Sequence, residues 1–307
     1  MESRVVGFMN QGNLSVVQLA TGDQDTFEYI SSSAAIKGGL IKVSEISEGG
    51  SVNNLLVVNE SGKFVFFMDG DILAGAKQNR VLNTSMLLAP GTKTEVPVSC
   101  VEQGRWSRVS PDFSSTDYVA PSSLREAKAR MVSASLRRKR GHYADQGGVW
   151  DGVTLFQQDS GVHSATSNLS DVYEGKRTDF ESLIAGFKVV DGANGLGVYV
   201  GSDLVSVDLF NRTDVYAEYF PKLLRGIGLE VASRKQEEKG VAEAEGSFRV
   251  LDLLDKVNEA EAEFFPSVGV GQEKRCETAG VSGVELIYET KRIHTAVLKS
   301  TTSDRRL

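Results

Sequence analysis

The chain has 307 residues, of which 40% are hydrophobic and 24% charged, and its formal net charge is -7. This composition is that of a globular protein with a solvated surface, and the negative charge argues against a nucleic-acid binder. No stretch approaches the roughly 20 apolar residues of a membrane-spanning helix, and the N-terminal residues are too polar for a signal peptide. We therefore expect a cytoplasmic protein that does not associate with a membrane.

The length fits one large domain or two that pack closely together. We expect a single domain over 1–307, with a β-rich part over about 1–120 and a mixed helical and strand part over about 121–300. The two cysteines, Cys100 and Cys276, lie far apart and have no spacing typical of a zinc site or a disulfide framework.

The N-terminal third of the chain reads mainly as strands. Two apolar runs, 5–8 and 14–17, flank a polar turn and predict a hairpin. Serines 31–33 offer N-caps for a short helix that Gly38 and Gly39 end. Runs rich in β-branched and aromatic residues predict further strands over 40–46, 52–58, 64–68, 81–88 and 96–101.

After Pro121 the spacing of apolar residues becomes helical. Ser122 and Ser123 precede apolar residues three or four apart, with Glu126 near the start, so the pattern predicts a capped amphipathic helix. Further helices are predicted over 149–156, 169–187, 215–224 and 248–265, a loop over 234–246, and strands over 197–200, 204–209, 284–288 and 293–298. The predicted fold class is α+β, a largely antiparallel sheet system with helices concentrated after residue 121.

The segment 69–106 carries the polar side chains that most strongly indicate a functional site. Lys77, Gln78, Asn79 and Arg80 place four strong hydrogen-bonding groups in a row after a turn at 69–71. In a strand, Gln78 and Arg80 would share one face, and Lys77 and Asn79 the other. Arg80 can hold a carboxylate or phosphate through two parallel hydrogen bonds, which suits a nucleotide, a sugar or an acidic metabolite.

A second polar group follows the next strand. Glu102, Arg105 and Trp106 lie within five residues, beside Gly104. Glu102 could act as a general base if burial raised its pKa. Arg105 could bind an anion, and Trp106 could stack on a base. Cys100 is interpreted as a buried, inert thiol, since no histidine is placed beside it by the sequence.

Each of these residues also has a purely structural interpretation. Asp71 can belong to an ordinary turn, Arg80 can form a buried ion pair with Glu102 or an aspartate, and Trp106 can be part of the core. The sequence leaves both interpretations open.

The segment MDGDILAGAKQNRVLN, together with PVSCVEQGRW downstream, resembles the bacterial domain called ARG and Rhodanese-Phosphatase-superfamily-associated Protein. Weaker similarity continues at 146–150 and 208–210. The family is named for gene neighbours, ADP-ribosylglycohydrolases and a rhodanese-phosphatase type protein, and the resemblance thereby implies a role around NAD-derived or ADP-ribosyl metabolites. Members of the family usually carry Glu where this chain has Asp71, and the shorter side chain changes its reach.

Our first functional hypothesis is the binding of an NAD-derived or ADP-ribose-like nucleotide, and the sequence leaves open whether the nucleotide is also turned over. Arg80 and Arg105 would hold phosphates, Gln78 and Asn79 would contact ribose or amide groups, and Trp106 would stack. Glu102, assisted by Asp71, would be the acid/base or would hold Mg²⁺ as a cofactor through oxygen ligands.

The second hypothesis is a non-catalytic sensor or scaffold, in which segment 69–106 forms a structural network or the interface of a homo-oligomer. The two hypotheses differ in one prediction. If Arg80 serves a ligand, Arg80→Ala abolishes stabilisation by the ligand and leaves the far-UV circular dichroism spectrum native.

Overall fold

The computed structural model describes residues 3–22, 27–233 and 239–300. The first part of the chain forms β1 (Ser3–Gln11), β2 (Leu14–Thr21), β3 (Tyr29–Ser31), α1 (Ser32–Lys37), β4 (Ile41–Glu45), β5 (Asn54–Asn59), β6 (Phe64–Phe67), β7 (Asp71–Gly75), β8 (Arg80–Leu82), β9 (Met86–Leu88), β10 (Thr92–Cys100) and β11 (Phe113–Val119). The second part forms α2 (Ser122–Arg137), α3 (Gln146–Ser160), α4 (Leu169–Ile184), β12 (Gly195–Val200), β13 (Asp203–Phe210), α5 (Thr213–Ser233), α6 (Glu243–Glu259), β14 (Glu263–Pro266), β15 (Gln272–Thr278), β16 (Val281–Tyr288) and β17 (Lys291–Lys299).

The strands form three sheets. An eight-stranded sheet has the order β1-β2-β12-β13-β17-β16-β15-β14, a six-stranded sheet the order β11-β7-β8-β10-β5-β4, and a three-stranded sheet the order β3-β6-β9. Among the paired strands of the described ranges, only β3 and β6 run parallel. The α+β prediction is therefore confirmed, and five of the six described helices follow residue 121.

The eight-stranded sheet is covered by helices on both faces. In β2 all eight residues are buried. Leu14 and Val16 face a core shared with α3, α4 and α5, whereas Val17 and Leu19 face a second core shared with α6. This alternation is the two-residue period of a strand, and burial of both faces explains the nearly continuous apolar sequence.

The six-stranded sheet brings the two polar groups of the sequence together. β8 pairs antiparallel with β10, and Arg80 lies directly opposite Cys100. β10 also pairs with β5, and β5 with β4, so the end of β4 at Glu45 comes close to the same place. Topology therefore gathers residues from four strands and their loops near Arg80.

Helix α2 begins as predicted but is capped differently. Its N-cap is Pro121, whose side chain makes no cap hydrogen bond. Instead the carboxylate of Glu230 on α5 accepts hydrogen bonds from the backbone N–H of Ser123 at 2.6 Å and from the hydroxyl of Ser122 at 2.7 Å. An acid from another helix thus supplies the negative charge that a helix N-terminus favours.

Helices α5 and α6 differ from their predicted ranges. The predicted end at residue 224 is too early, since Gly226 and Gly228 lie inside α5, where their small size lets the helix pack against Val119 and Phe180. Helix α6 starts earlier than predicted and ends before Phe264, which lies in edge strand β14. The predicted loop 234–246 is replaced by helix from residue 243, and residues 234–238 lie outside the described ranges.

In the described part of the chain, no helix combines the length and the apolar character that crossing a membrane requires.

Candidate functional site

Arg80 is completely buried at the start of β8 and lies on one face with Gln78, as predicted. Its Nη1 donates to Gln78 Oε1 at 2.8 Å and to Cys100 Sγ at 2.7 Å. Its Nη2 donates to the carbonyl of Ser51 at 3.3 Å and lies 3.7 Å from Glu45 Oε1. The ion pair with Glu45 is therefore close but too long for a hydrogen bond.

Two polar atoms of this ion pair have no hydrogen-bond partner. They are Nε of Arg80 and Oε2 of Glu45, in two side chains whose exposed fraction is 0%. Leaving a buried donor or acceptor without a partner costs about 1–3 kcal/mol each. The pair thus offers one donor and one acceptor to a group that reaches it.

A loop, residues 46–53, covers the pair and is held by side chains of the same region. Lys77 Nζ donates to the carbonyls of Glu48 at 2.6 Å and Gly49 at 2.8 Å. Gly50 has a φ of 78°. A Cβ at Gly50 would lie 3.3 Å from Glu45 Oε2 and 3.3 Å from Trp106 Cζ2, so the loop backbone comes close to both groups.

Trp106 forms the outer wall of this arrangement. Its side chain is 46% exposed, and its ring centroid lies 5.3 Å from Lys77 Nζ and 5.5 Å from the guanidinium carbon of Arg80. Both distances are typical of cation–π contacts. We call the surface formed by Glu45, Gly50, Lys77, Arg80 and Trp106 the Trp106 face.

Lys77 belongs to this surface and does not share a face with Asn79, contrary to our prediction. The alternation fails because β8 begins only at Arg80, and Ala76 takes a φ of 39°, which turns the chain before the strand. Cys100 lies behind Arg80, and burial raises the pKa of its thiol to about 11 despite the neighbouring guanidinium. Cys100 is therefore a protonated core thiol, as predicted.

Glu102, Arg105 and Asn79 form a second group, whose members bond to one another. Arg105 donates to both carboxylate oxygens of Glu102, from Nε at 2.8 Å and from Nη2 at 2.6 Å. Its Nη1 donates to the carbonyl of Ala76 at 2.8 Å. All three guanidinium nitrogens of Arg105 thus bind protein groups, and the phosphate-binding role expected for Arg105 requires these bonds to break.

Glu102 accepts four hydrogen bonds in total. Besides Arg105, the backbone N–H of Asn79 donates to it at 3.1 Å and the hydroxyl of Thr166 at 3.1 Å. Burial alone would raise the pKa of Glu102, but these bonds and the charge of Arg105 hold it below its usual value. The acid/base role depended on a raised pKa, and that condition is not met.

Asn79 links this group to the start of α4. Its Nδ2 donates to Asn168 Oδ1 at 3.2 Å, and Asn168 in turn caps α4 by accepting from the N–H of Ser170 at 3.0 Å. Asn79 Oδ1 accepts from the N–H of Gly75 at 3.0 Å. These bonds position the backbone around Glu102.

Asp71 lies in a third group and not beside Glu102. Its Oδ1 accepts from Lys222 Nζ at 2.5 Å, and its Oδ2 from the hydroxyls of Tyr219 at 2.9 Å and Ser32 at 3.0 Å. Asp71 is 2% exposed and joins β7 to α1 and α5. Its bonding partners are all different from those of Glu102, so the expected assistance by Asp71 has no geometric support.

The Mg²⁺ site expected at Glu102 and Asp71 does not fit these positions. Both oxygens of Glu102 are bound by Arg105, and Asp71 is paired with Lys222. Within the described ranges, no group of three or more His, Cys, Asp or Glu side chains is arranged to hold a metal ion. We therefore assign no metal to these residues.

A buried charge cluster that the sequence did not reveal lies at Asp69. Arg125 of α2 donates to both oxygens of Asp69, at 2.9 and 3.1 Å, and to both oxygens of Asp208 on β13, at 2.6 and 3.1 Å. Burial alone would raise the pKa values of both carboxyl groups, but the charge and the hydrogen bonds of Arg125, together with smaller effects of neighbouring groups, hold both pKa values below their usual range. One guanidinium thus joins the β6–β7 turn to the eight-stranded sheet.

Ser85, His294 and Asp208 in this cluster are neighbours in space in the same sequence as the Ser, His and Asp of a hydrolase triad. Ser85 Oγ lies 3.0 Å from His294 Nδ1, and His294 Nε2 lies 3.4 Å from Asp208 Oδ1. However, the three residues are 3%, 1% and 1% exposed, and Ser85 Oγ also accepts the N–H of Asp69 at 2.9 Å. The three side chains are buried in the core, where no substrate can reach them, so we interpret the arrangement as structural.

Lys128 lies in the same cluster and lines a cavity of about 10 Å³, room for one water molecule. Its Nζ donates to the carbonyl of Leu82 at 2.5 Å. Burial lowers the pKa of Lys128 to about 7, with Asp69 opposing the shift and Arg125 adding to it. The cost of burying this amine therefore depends on pH.

Lys128 gives the protein a stability that rises with pH. Between pH 7 and about 10 the unfolded chain binds more protons at this lysine than the folded protein does, so the free energy of unfolding increases across this window. The slope for one group is at most about 1.4 kcal/mol per pH unit. Lys128→Met should remove this slope in urea unfolding at pH 7, 8 and 9, whereas the exposed Lys256→Met should keep it. An unchanged slope in Lys128→Met would contradict the assignment.

The structure thus separates the predicted site residues into three groups. Gln78, Arg80 and Trp106 lie together, Asn79, Glu102 and Arg105 lie together, and Asp71 lies apart. The sequence analysis missed Glu45 and assigned Lys77 no ligand-binding role.

Comparison with known proteins gives one match. The model of the ARG and Rhodanese-Phosphatase-superfamily-associated Protein domain matches residues 2–298. No curated protein and no solved structure matches the chain.

Proposed function

Because the chain belongs to the ARG and Rhodanese-Phosphatase-superfamily-associated Protein domain family, we propose that it binds an NAD-derived or ADP-ribose-like nucleotide at the Trp106 face. The family name links these proteins only loosely to ADP-ribosylation, and it specifies no ligand. The observation that carries the proposal is the half-exposed indole of Trp106, which has the cations of Lys77 and Arg80 beside it. Arg80 also belongs to the buried pair with Glu45, in which one donor and one acceptor have no partner.

The proposed roles follow from the chemistry of each group. An exposed indole provides a stacking surface for a base, which is worth about 1–3 kcal/mol in other proteins. Lys77 supplies a point charge for a phosphate once its bonds to the loop carbonyls are exchanged for bonds to the ligand. Arg80 and Glu45 would contact the group that lies beneath the indole.

Binding at this surface requires loop 46–53 to move. The loop is held by donors from Lys77, Arg80 and Cys100, which are the side chains of the proposed site and its back wall. If these donors released the loop and bonded to the ligand instead, ligand binding would be coupled to opening of the loop. Such loops are common at binding sites, because their low stability allows them to open.

We further propose that binding occurs without turnover. The acid/base candidate, Glu102, carries four hydrogen bonds and a lowered pKa, and both of its carboxylate oxygens are bound by Arg105. This geometry favours the sensor alternative over the enzyme. Incubation with NAD, ADP-ribose and ADP-ribosylated protein, followed by mass spectrometry, should therefore return each compound unchanged, and product that disappears in Glu102→Gln would contradict this part.

Trp106 provides the direct test of binding. We expect Trp106→Leu to weaken the affinity for ADP-ribose or NAD by about tenfold or more, because stacking is lost. The matched control is Trp150→Phe, which leaves Trp106 as the sole tryptophan and makes its fluorescence a reporter of binding. Calorimetric titration of wild type and both variants would measure the dissociation constants. If wild type binds none of the nucleotides, the proposal is wrong.

A further inference from the structure

We infer that the ligand group beneath Trp106 presents a hydrogen-bond acceptor and a hydrogen-bond donor side by side, as a primary carboxamide or the amino edge of adenine does. The inference rests on the proposed function. It concerns which flat ring the Trp106 face selects, and it comes from the two atoms of the Arg80–Glu45 pair that lack partners.

The two atoms are of opposite type. Arg80 Nε carries one hydrogen and can only donate, and Oε2 of Glu45 is a carboxylate oxygen, which accepts. The remaining polar atoms are already engaged: Nη1 by Gln78 and Cys100, Nη2 by Ser51, and Glu45 Oε1 by the N–H of Lys77 at 3.4 Å. A matching ligand group therefore accepts once and donates once.

The position of these atoms relative to the indole limits the shape of that group. Glu45 Oε2 and Trp106 Cζ2 both lie 3.3 Å from the point where a Cβ of Gly50 would be, and the guanidinium carbon of Arg80 lies 5.5 Å from the ring centroid. The donor and acceptor thus lie beside the indole. A planar group stacked near Trp106 can direct its edge toward them.

Charge also decides between related ligands. A carboxylate in place of a carboxamide would put a negative oxygen next to Glu45, which has 0% exposed side chain, and repulsion there is weakly screened. On the N6/N7 edge of adenine, a 6-oxo group in place of the 6-amino group replaces the donor by a second acceptor. Both changes leave a buried group unpaired and are expected to lower affinity about ten- to a hundredfold.

The experiment compares matched pairs of nucleotides on the full chain by calorimetric titration. Nicotinamide mononucleotide is paired with nicotinic acid mononucleotide, and AMP with IMP. We expect the amide or amino member to bind more tightly in at least one pair, and the pair in which this occurs identifies the group as carboxamide or adenine. Equal affinity within both pairs, or preference for the acid or oxo member, would overturn the inference and leave the proposed function standing. Failure of all four to bind while ADP-ribose or NAD binds would overturn the inference alone, and failure of ADP-ribose and NAD as well would overturn both.

A variant of Glu45 tests the residue itself. Glu45→Gln presents an amide that can rotate to donate or accept, so discrimination within the selected pair should fall below about threefold. Glu48→Gln removes the same charge from the exposed loop and should keep the wild-type ratio. Thermal unfolding of both variants reports folding, and the wild-type comparison remains decisive if Glu45→Gln is unstable. Unchanged discrimination in a folded Glu45→Gln variant would exclude Glu45 as the acceptor.

Discussion

Replacement of Arg125 by Met is expected to lower the free energy of unfolding by about 3–5 kcal/mol or more. Arg125 makes two hydrogen bonds to each of two buried carboxylates, Asp69 and Asp208. Without the guanidinium, two negative charges remain in the core with no strong partner. For a protein stabilised by about 5–15 kcal/mol, this loss is a large part of the total.

The matched control is Arg177→Met, because Arg177 also contacts several acids but lies at the surface. It pairs with Glu174 at 2.6 Å and with Asp117 at 3.3 Å, and its side chain is 38% exposed. Exposed pairs of this kind contribute about 0–1 kcal/mol. Urea unfolding of both variants measures the contrast, and adding Asp208→Asn to Arg125→Met should recover part of the loss. Equal effects of the two arginine substitutions would mean that the buried cluster contributes little to stability.

The same cluster makes the folded state sensitive to acid. The lowered pKa values of Asp69 and Asp208 mean that these groups stabilise the fold at pH values above about 4, the range of the unfolded chain. As the pH falls below that value, the unfolded chain takes up protons first and the stabilisation decreases. It is lost as the pH passes through the lower pKa values of the folded protein.

Short sequence patterns correctly predicted the elements that depend only on residues close together in the chain. The β1–β2 hairpin follows from two apolar runs and a turn, and the serine-capped α1 is present with Ser31 accepting from the N–H of Ala34 at 3.1 Å. The single strand predicted over 81–88 is instead β8 and β9, which belong to different sheets. Residues 83–85 between them are polar and buried, and they bond to partners far along the chain, which an apolar run cannot indicate.

Prediction of the site from the sequence was limited because several of its charged side chains are buried. Residues 122–129 of α2 are all buried, Arg125 and Lys128 among them, and acids from the β6–β7 turn and from β13 pair with the arginine. The side chains of Gln78 and Arg80 lie together as predicted and share a hydrogen bond at 2.8 Å, although Gln78 precedes β8. Glu45 was not predictable, because it reaches Arg80 only through the pairing of β4, β5 and β10, which the sequence does not encode locally.

Variants of Arg80 and of its partner Glu45 can separate the structural role of Arg80 from its ligand-binding role. Arg80→Met leaves Glu45 charged, buried and unpaired, so we expect a loss of about 3–5 kcal/mol in the free energy of unfolding. This differs from our expectation for Arg80→Ala of a native protein that has lost only its ligand. The reason is that Arg80 is fully buried and supports Gln78, Ser51 and Cys100 as well as Glu45.

The double variant Arg80→Met/Glu45→Met removes both charges together. It should be more stable than the sum of the two single effects predicts, by about 1 kcal/mol or more, because neither charge is left alone in the core. Lys42→Met, which breaks an exposed pair with Asp112 at 3.4 Å on the same sheet, should change stability by no more than about 0.5 kcal/mol. Urea unfolding of the complete cycle measures the coupling between Arg80 and Glu45.

The folded double variant then tests ligand binding without the complication of instability. If the Trp106 face is the nucleotide site, this variant should lose calorimetric binding while Lys42→Met retains it, because the donor and acceptor beneath the indole are gone. Full binding by a folded double variant would show that Arg80 and Glu45 serve the fold alone. The nucleotide would then have to bind elsewhere on the chain.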